Sequence, residues 1–195
     1  KRILLMPGSR KQEVLSLLDV MLESGECLMQ SHEDVQFFLP RAHTIDRSEL
    51  EAFIKERKVP VTITENHTYD LMQICDVCLA ASGTATLETA MMELPTVLLY
   101  KVSPITYGIG KMVVNLTHVG LPNIVAGKEV IPELLQGDVS VDAIVNTVLP
   151  LLDDLHINQS MRTELRGVKE KLGESGAVKR VAQLIYDLGK ERINE

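Results

Sequence analysis

Two short segments hold the residue types that handle phosphate. The first, Pro7-Gly8-Ser9-Arg10-Lys11-Gln12-Glu13, follows an apolar run and opens a helical pattern. Glycine allows a tight turn, and the first N–H groups of a helix have no intrahelical acceptor, so an anion is favoured there. Arg10 and Lys11 place two cations at the positive end of the dipole, an arrangement disfavoured by about 0.3–1 kcal/mol each at exposed sites. An anion reverses that penalty, and Arg10 is able to fork across two of its oxygens. The alternative is a solvated turn in which Ser9 and Gln12 form a capping box and Glu13 serves as counter-ion. Spacing alone leaves both readings open.

The second segment, Ala81-Ser82-Gly83-Thr84-Ala85-Thr86-Leu87-Glu88, is again a strand pattern, a glycine and a helix start, with small residues that let a ligand approach the backbone. Glu88 lies four residues after Thr84, on the same helical face and one turn in, which is wrong for a cap. A carboxylate set back from a phosphate-binding helix start is placed to accept both hydroxyls of a ribose. Ser82, Gly83, Thr84 and Ala85 then face phosphate while Glu88 holds the sugar. The plainer alternative is tight packing of small residues with a glutamate near the dipole.

Positioning these loops requires a sheet. Apolar runs at Arg2–Met6, Val35–Leu39, Val61–Ile63, Asp76–Ala80 and Thr96–Tyr100 alternate with helical segments at Lys11–Gln30, Ser48–Glu56, Tyr69–Ile74 and Thr84–Met92. That alternation predicts a parallel α/β sheet covered on both faces, a Rossmann-like three-layer α/β/α sandwich. Ligands of such sheets bind beyond the carboxyl ends of the strands, where both glycine segments fall. After Tyr100 the strand rhythm fades. Pro104–Asn115 reads as a glycine-bearing helical stretch and Val119–Asn123 as a strand or loop. Beyond Glu129 nearly everything reads as helix: Val141–Asp154, Ser160–Leu172 and Ala177–Arg192, with breaks at Pro150, Gly173 and Gly176. Because Arg2–Met6 already sits inside an element, the beginning of the domain is expected to be cut away.

Composition narrows the chemistry. The 195 residues carry a net charge of −7 with four Tyr, three Phe and no Trp, which argues against nucleic acid as a partner. Apolar residues make up 45% of the chain, so it folds rather than remaining disordered. No apolar run reaches the ~18 residues that a membrane-spanning helix needs. Three cysteines make no disulfide framework and fit a reducing compartment, so a cytoplasmic location is expected. Cys75 and Cys78 form a C-x-x-C pair that lacks the companions of a zinc tetrad, and they read as small apolar residues entering a buried strand. No metal or cofactor is expected. Sequons such as Asn158-Gln159-Ser160 read as chance matches without a secretory signal.

Several blocks in order resemble the C-terminal half of the lipid-A-disaccharide synthases, glycosyltransferases of the GT-B type. They are Leu5–Arg10 with Glu13-Val14, Ala80–Glu88, Pro95–Lys101, and Leu121–Gly127 followed by Glu129 and Pro132–Gln136. The resemblance implies a GT-B C-terminal domain over residues 1–176, with residues 177–195 as a helix that crosses back to the N-terminal domain or packs on another copy. It implies transfer of 2,3-diacylglucosamine from its UDP conjugate to 2,3-diacylglucosamine 1-phosphate, with release of UDP. Gly8, Ser9 and Arg10 would then contact the diphosphate, Ser82–Ala85 the phosphates, Glu88 the ribose and Asn123 the donor region. The catalytic base is expected in the N-terminal half. The partners implied are the donor, the acylated acceptor, that N-terminal domain, a homodimer mate and, through the acylated substrates, peripheral contact with the inner face of the inner membrane, with Val102–Val119 either bordering acyl chains or the bilayer or, as its pattern favours, forming a partly buried crossover helix. Another UDP-sugar transferase or 2-epimerase, or a non-catalytic nucleotide-sugar module, are the alternatives.

Overall fold

The computed structural model describes residues 1–102, 117–173 and 176–193. The Pro104–Asn115 helical expectation, and with it most of Val102–Val119, lies outside the described residues. The elements are β1 (Arg2–Met6), α1 (Lys11–Ser31), β2 (Gln36–Pro40), α2 (Arg47–Lys55), β3 (Val61–Thr64), α3 (Thr68–Ile74), β4 (Val77–Ala81), α4 (Thr84–Met91), β5 (Thr96–Tyr100), α5 (Leu121–Ala126), β6 (Glu133–Leu135), α6 (Val141–Asp153), α7 (Leu155–Leu172) and α8 (Ala177–Ile193). The six strands form one parallel sheet in the order β3-β2-β1-β4-β5-β6.

Side chains alternate across the pleat, and this alternation divides the core. Ile3, Leu5, Val77, Leu79, Val97 and Leu99 pack with α1, α2 and α6 through Leu18, Ile54, Ile144 and Val148. Leu4, Cys78 and Ala80 face the other way, onto Leu71 and Met72 of α3. On that same side Leu98 meets Ala90 of α4 and Leu165 and Val168 of α7. Both faces are covered, as the continuous apolar strands require, and the fold is the expected three-layer sandwich.

Several boundaries are set by caps. The Asp46 carboxylate accepts from the Glu49 N–H to start α2, and the Ser140 hydroxyl accepts from Ala143 to start α6. Asp154 accepts from the N–H groups of His156 and Ile157, so α7 begins at Leu155, five residues before the apolar pattern suggests. Pro150 lies inside α6 rather than breaking it. Helix α4 ends in a Schellman arrangement: the Leu94 N–H donates to Thr89 O, the Glu93 N–H to Ala90 O, and Glu93 takes φ +55°.

Two expectations are corrected in the segment from Val119 to Leu135. Leu121–Ala126 is a short helix, not a strand or loop, and Glu133–Leu135 is a sixth strand within the stretch that reads as helix. Asn158 is 7% exposed and donates to Asp76 O and Leu151 O, a physical reason for its sequon to be a chance match. No helix among the described residues is long and apolar enough to cross a membrane.

Candidate functional site

Strands β1 and β4 are neighbours although some seventy residues separate them in the chain, and their register pairs Leu5 with Leu79 and Met6 with Ala80. The segments that leave their carboxyl ends therefore emerge side by side. Here the chain order on the sheet reverses, with β2 and β3 to one side and β5 and β6 to the other, which makes this the topological switch point. A cleft of about 530 Å3 opens there. Gly8, Ser9, Arg10, Ser82, Gly83, Thr84, Ala85 and Glu88 all line it.

Each loop is shaped by its glycine. Gly83 is the N-cap of α4 at φ +154°, and a Cβ there would meet nothing within 4 Å, so its backbone faces open cleft. The hydroxyls of Thr86 and Thr89 turn inward, donating to Gly83 O at 2.7 Å and Thr86 O at 2.9 Å. The N–H groups of Thr84 and Ala85, at the start of α4, have no carbonyl one turn back to receive them. Gly8 has φ +108°, and a Cβ on it would run into the Glu13 carboxylate, which would have to move. The conformation is what disfavours any larger residue.

The first loop differs from its expected form in two respects. The N-cap of α1 is Arg10, without a side-chain cap, so Ser9 lies one residue too early for the capping box with Gln12. Lys11 turns away from the cleft and pairs with Glu49 of α2 at 2.5 Å. One cation of this loop, Arg10, is thus left to the cleft, and no ionic partner of its side chain occurs among the described residues. Glu13 is also in the cleft wall, its carboxylate against Gly8.

The cleft has a second end that glycine-led reasoning misses. Pro40 at the end of β2, Arg41 and Ala42 after it, and Thr68 after β3, complete its wall. Arg41 donates from Nε to Glu65 Oε1 at 3.1 Å and from Nη1 to Ile45 O at 2.7 Å, and its Nη2 lies 3.0 Å from the same Glu65 oxygen. Hydrogen bonding and the charge of Arg41, with Arg47 behind it, hold the Glu65 carboxyl below its ordinary range. The rule that ligands bind beyond the strand ends applies equally to β2 and β3, but these loops lack the glycine that drew attention to the other two.

Asn123 does not join the cleft. It is fully buried, its Nδ2 donating to Ile131 O at 2.8 Å and Glu133 Oε1 at 2.7 Å, while its Oδ1 accepts from Val130 and Ile131 N–H at 2.7 and 2.9 Å. Its carboxamide is consumed in tying α5 to β6, which corrects the donor-contact expectation. Glu133, on β6, is likewise turned inward: it accepts from the N–H groups of Val119 and Gly120, both at 2.9 Å, and ties the segment that enters α5 to the sheet. Cys75 and Cys78 sit in the core, where burial pushes the Cys75 thiol up to about 12 and Cys78 upward as well.

A family model described as lipid-A-disaccharide synthetase matches residues 1–185. The lipid-A-disaccharide synthase of Geobacter sulfurreducens is 43% identical over 188 residues, covering 96% of this chain and 49% of that protein. The synthase of Persephonella marina is 40% identical over 189 residues, covering 94% and 50%. Among solved structures, the S. aureus MnaA–UDP co-structure superposes with a TM-score of 0.64 at 14% identity over 97% of this chain and 46% of that one. The glycotransferase of kitacinnamycin gives 0.59 at 16% identity, over 96% and 42%. At such identities the likeness is one of fold, the Rossmann-like half of the GT-B architecture. The chain spans about half the length of the curated relatives it matches. With the family model covering nearly all of it, and with its two glycine loops meeting at one switch-point cleft, the chain belongs to the lipid-A-disaccharide synthetase family.

Proposed function

We propose that this chain is the donor-binding half of a lipid-A-disaccharide synthase that transfers 2,3-diacylglucosamine from its UDP conjugate to 2,3-diacylglucosamine 1-phosphate. The observation that carries the reading is the convergence of Arg10, the open N-terminus of α4 and Glu88 on a single cleft. The diphosphate lies between Arg10 and the N–H groups of Thr84 and Ala85, with Gly8, Ser9, Ser82 and Gly83 allowing close approach of the backbone. Glu88, about 6 Å further along α4, takes the ribose hydroxyls.

The reaction is a displacement at the anomeric carbon of the donor. The acceptor hydroxyl loses its proton to a base as the new bond forms, and the bond to UDP breaks with its electron pair passing to the leaving diphosphate. Charge builds up where the α4 dipole is already fixed, next to Arg10. Groups that need not reorganise as the charge develops stabilise the transition state more than the ground state. Glu13 and Glu88 are the carboxylates of this cleft, one holding the Gly8 turn and the other the ribose. The base and the acceptor site are assigned to the half of the longer relatives that this chain does not span.

Helix α8 supports the same division. Val178, Val181, Leu184 and Ile185 form an apolar row on it that is 53–84% exposed. In this reading the row docks on that other half, and the enzyme works at the cytoplasmic face of the inner membrane, where its acylated substrates reside.

The test is calorimetric titration of UDP into the full-length protein. Arg10→Ala is expected to weaken binding about 10- to 100-fold, the range of a hydrogen bond to a charged group. Glu88→Gln weakens it less, and Lys11→Ala, whose partner is Glu49, leaves it unchanged. Equal affinity in wild type, Arg10→Ala and Glu88→Gln would remove the donor site from this cleft.

A further inference from the structure

The cleft holds two arginines in different electrostatic states. Arg10 has no ionic partner among the described residues. Arg41 is already neutralised by Glu65 at 3.0 Å, and two of its five N–H donors are committed, one to Glu65 and one to the Ile45 carbonyl. A guanidinium so occupied projects little field into the cleft. What it offers is a flat, rigidly held guanidinium in a stretch of cleft wall that also includes Pro40, Ala42 and Thr68. Guanidinium planes of this kind stack on aromatic rings.

Position points the same way. The phosphate-binding N–H groups lie at the end of β4, and Arg41 follows β2, two strands away across β1. At about 4.8 Å per strand, Arg41 lies roughly 10 Å from the start of α4. That separation suits the base of a nucleotide whose phosphates sit at the switch point.

Resting on the donor-site reading above, we propose that Arg41, clamped by Glu65, is the residue that receives the nucleobase, the pyrimidine ring stacking on its guanidinium plane. Arg41 is then a specificity-determining residue, and Glu65 a positioning residue that acts through it.

The experiment titrates UDP, 5,6-dihydro-UDP and inorganic pyrophosphate into the full-length wild-type protein and its Arg41→Gln, Glu65→Gln and Arg10→Ala variants. Dihydro-UDP has the same phosphates and ribose but a puckered base that stacks poorly. Wild type is expected to prefer UDP over dihydro-UDP by about 2- to 30-fold, the span of a cation–π contact. Arg41→Gln removes that preference and leaves pyrophosphate affinity unchanged, which also shows that the phosphate end has folded. Glu65→Gln reduces the preference in part, and Arg10→Ala weakens all three ligands. The proposal is overturned if Arg41→Gln keeps the preference for UDP, or if it weakens pyrophosphate as much as UDP, which would make Arg41 an anion ligand. Failure of wild type to bind UDP at all would instead overturn the donor-site reading beneath it.

Discussion

Asn123 offers the sharpest separation of a ligand contact from an internal tie. Its carboxamide makes four hydrogen bonds of 2.7–2.9 Å in a site with no solvent exposure. Truncation to alanine strands the Val130 and Ile131 N–H groups and the Ile131 carbonyl. Glu133 loses one donor but keeps the N–H groups of Val119 and Gly120. At about 1–3 kcal/mol for each stranded buried group, Asn123→Ala is expected to cost about 3–9 kcal/mol. That is a large part of the roughly 5–15 kcal/mol that holds a domain folded, and for a chain of this size it lowers the melting temperature by on the order of 10 °C. Asn123→Asp is similar in shape but sets a carboxylate oxygen where an amide donated to Glu133, so two anions meet in the core. Adding Glu133→Gln removes one of the two charges, and the double variant recovers only part of the loss, because the introduced NH2 then faces the Gly120 N–H and the new carboxylate still faces the Ile131 carbonyl. Thermal unfolding of the 195-residue chain reads all four proteins, and UDP titration of the full-length protein reads the cleft. An Asn123→Ala chain that melts with wild type while its full-length counterpart loses UDP affinity would refute the reasoning, because the carboxamide would then be facing ligand.

Gly8→Ala combines a φ of +108° with crowding against the Glu13 carboxylate, so it is expected to destabilise the first loop by about 1–3 kcal/mol and to weaken UDP binding. Removing the contact with a second change, Glu13→Ala, restores part of the stability, and full restoration would show that the backbone conformation carries no strain. With the Cys75 thiol pushed up to about 12 and Cys78 raised by burial, the native chain is expected to release colour from Ellman's reagent at Cys27 alone near pH 8, against three thiols after unfolding. Rapid reaction of a second native thiol would contradict this. Glu93 accepts from Arg166 at 2.8 Å, and this hydrogen bond holds its carboxyl below the ordinary range. A depressed folded value means that its stabilising contribution is present above the unfolded carboxylate value and is lost as pH falls through the folded one. The stability gap between wild type and Glu93→Gln should therefore be open at neutral pH and close on acidification; a gap that widens in acid would reverse the assigned sign.

What was legible in the sequence is what depends on neighbours along the chain. Runs such as Ile3-Leu4-Leu5 and Val77–Ala81 are apolar on both faces, which signals a covered parallel strand without reference to anything else. The glycine loops announce themselves because a positive φ at Gly8 and an open approach at Gly83 each demand that residue type. What stayed hidden depends on distant partners. Helix α5 is only six residues long, too short for an apolar period to show, and its entry is held by Glu133 on a distant strand; the proline in its first turn and Gly127 at its C-cap are its local marks. Strand β6 has three residues, too few for periodicity to show, and is defined by its pairing with Leu98–Tyr100. Lys11 looked like a phosphate ligand because its partner, Glu49, lies on the next helix and nearly forty residues on. Arg41 went unnoticed because its fixed geometry comes from Glu65 and Ile45, not from its immediate neighbours.

The cleft itself is a consequence of register. With Met6 opposite Ala80, the Pro7-Gly8 and Ala81-Ser82 segments leave the sheet at the same height, and the backbone of one loop faces that of the other. A slip of one residue would raise one loop above the other by about 3.3 Å and turn Leu5 and Leu79 toward opposite faces. Neither outcome is tolerable, because Leu5 and Leu79 are fully buried in the same cluster as Leu18 and Val148. The packing that stabilises the domain therefore also fixes the distance between the Arg10 backbone and the α4 N-terminus. The backbone of the anion end, with the N–H groups of Thr84 and Ala85, is thus organised before anything binds, and the exposed Arg10 side chain is the part left to settle on the ligand.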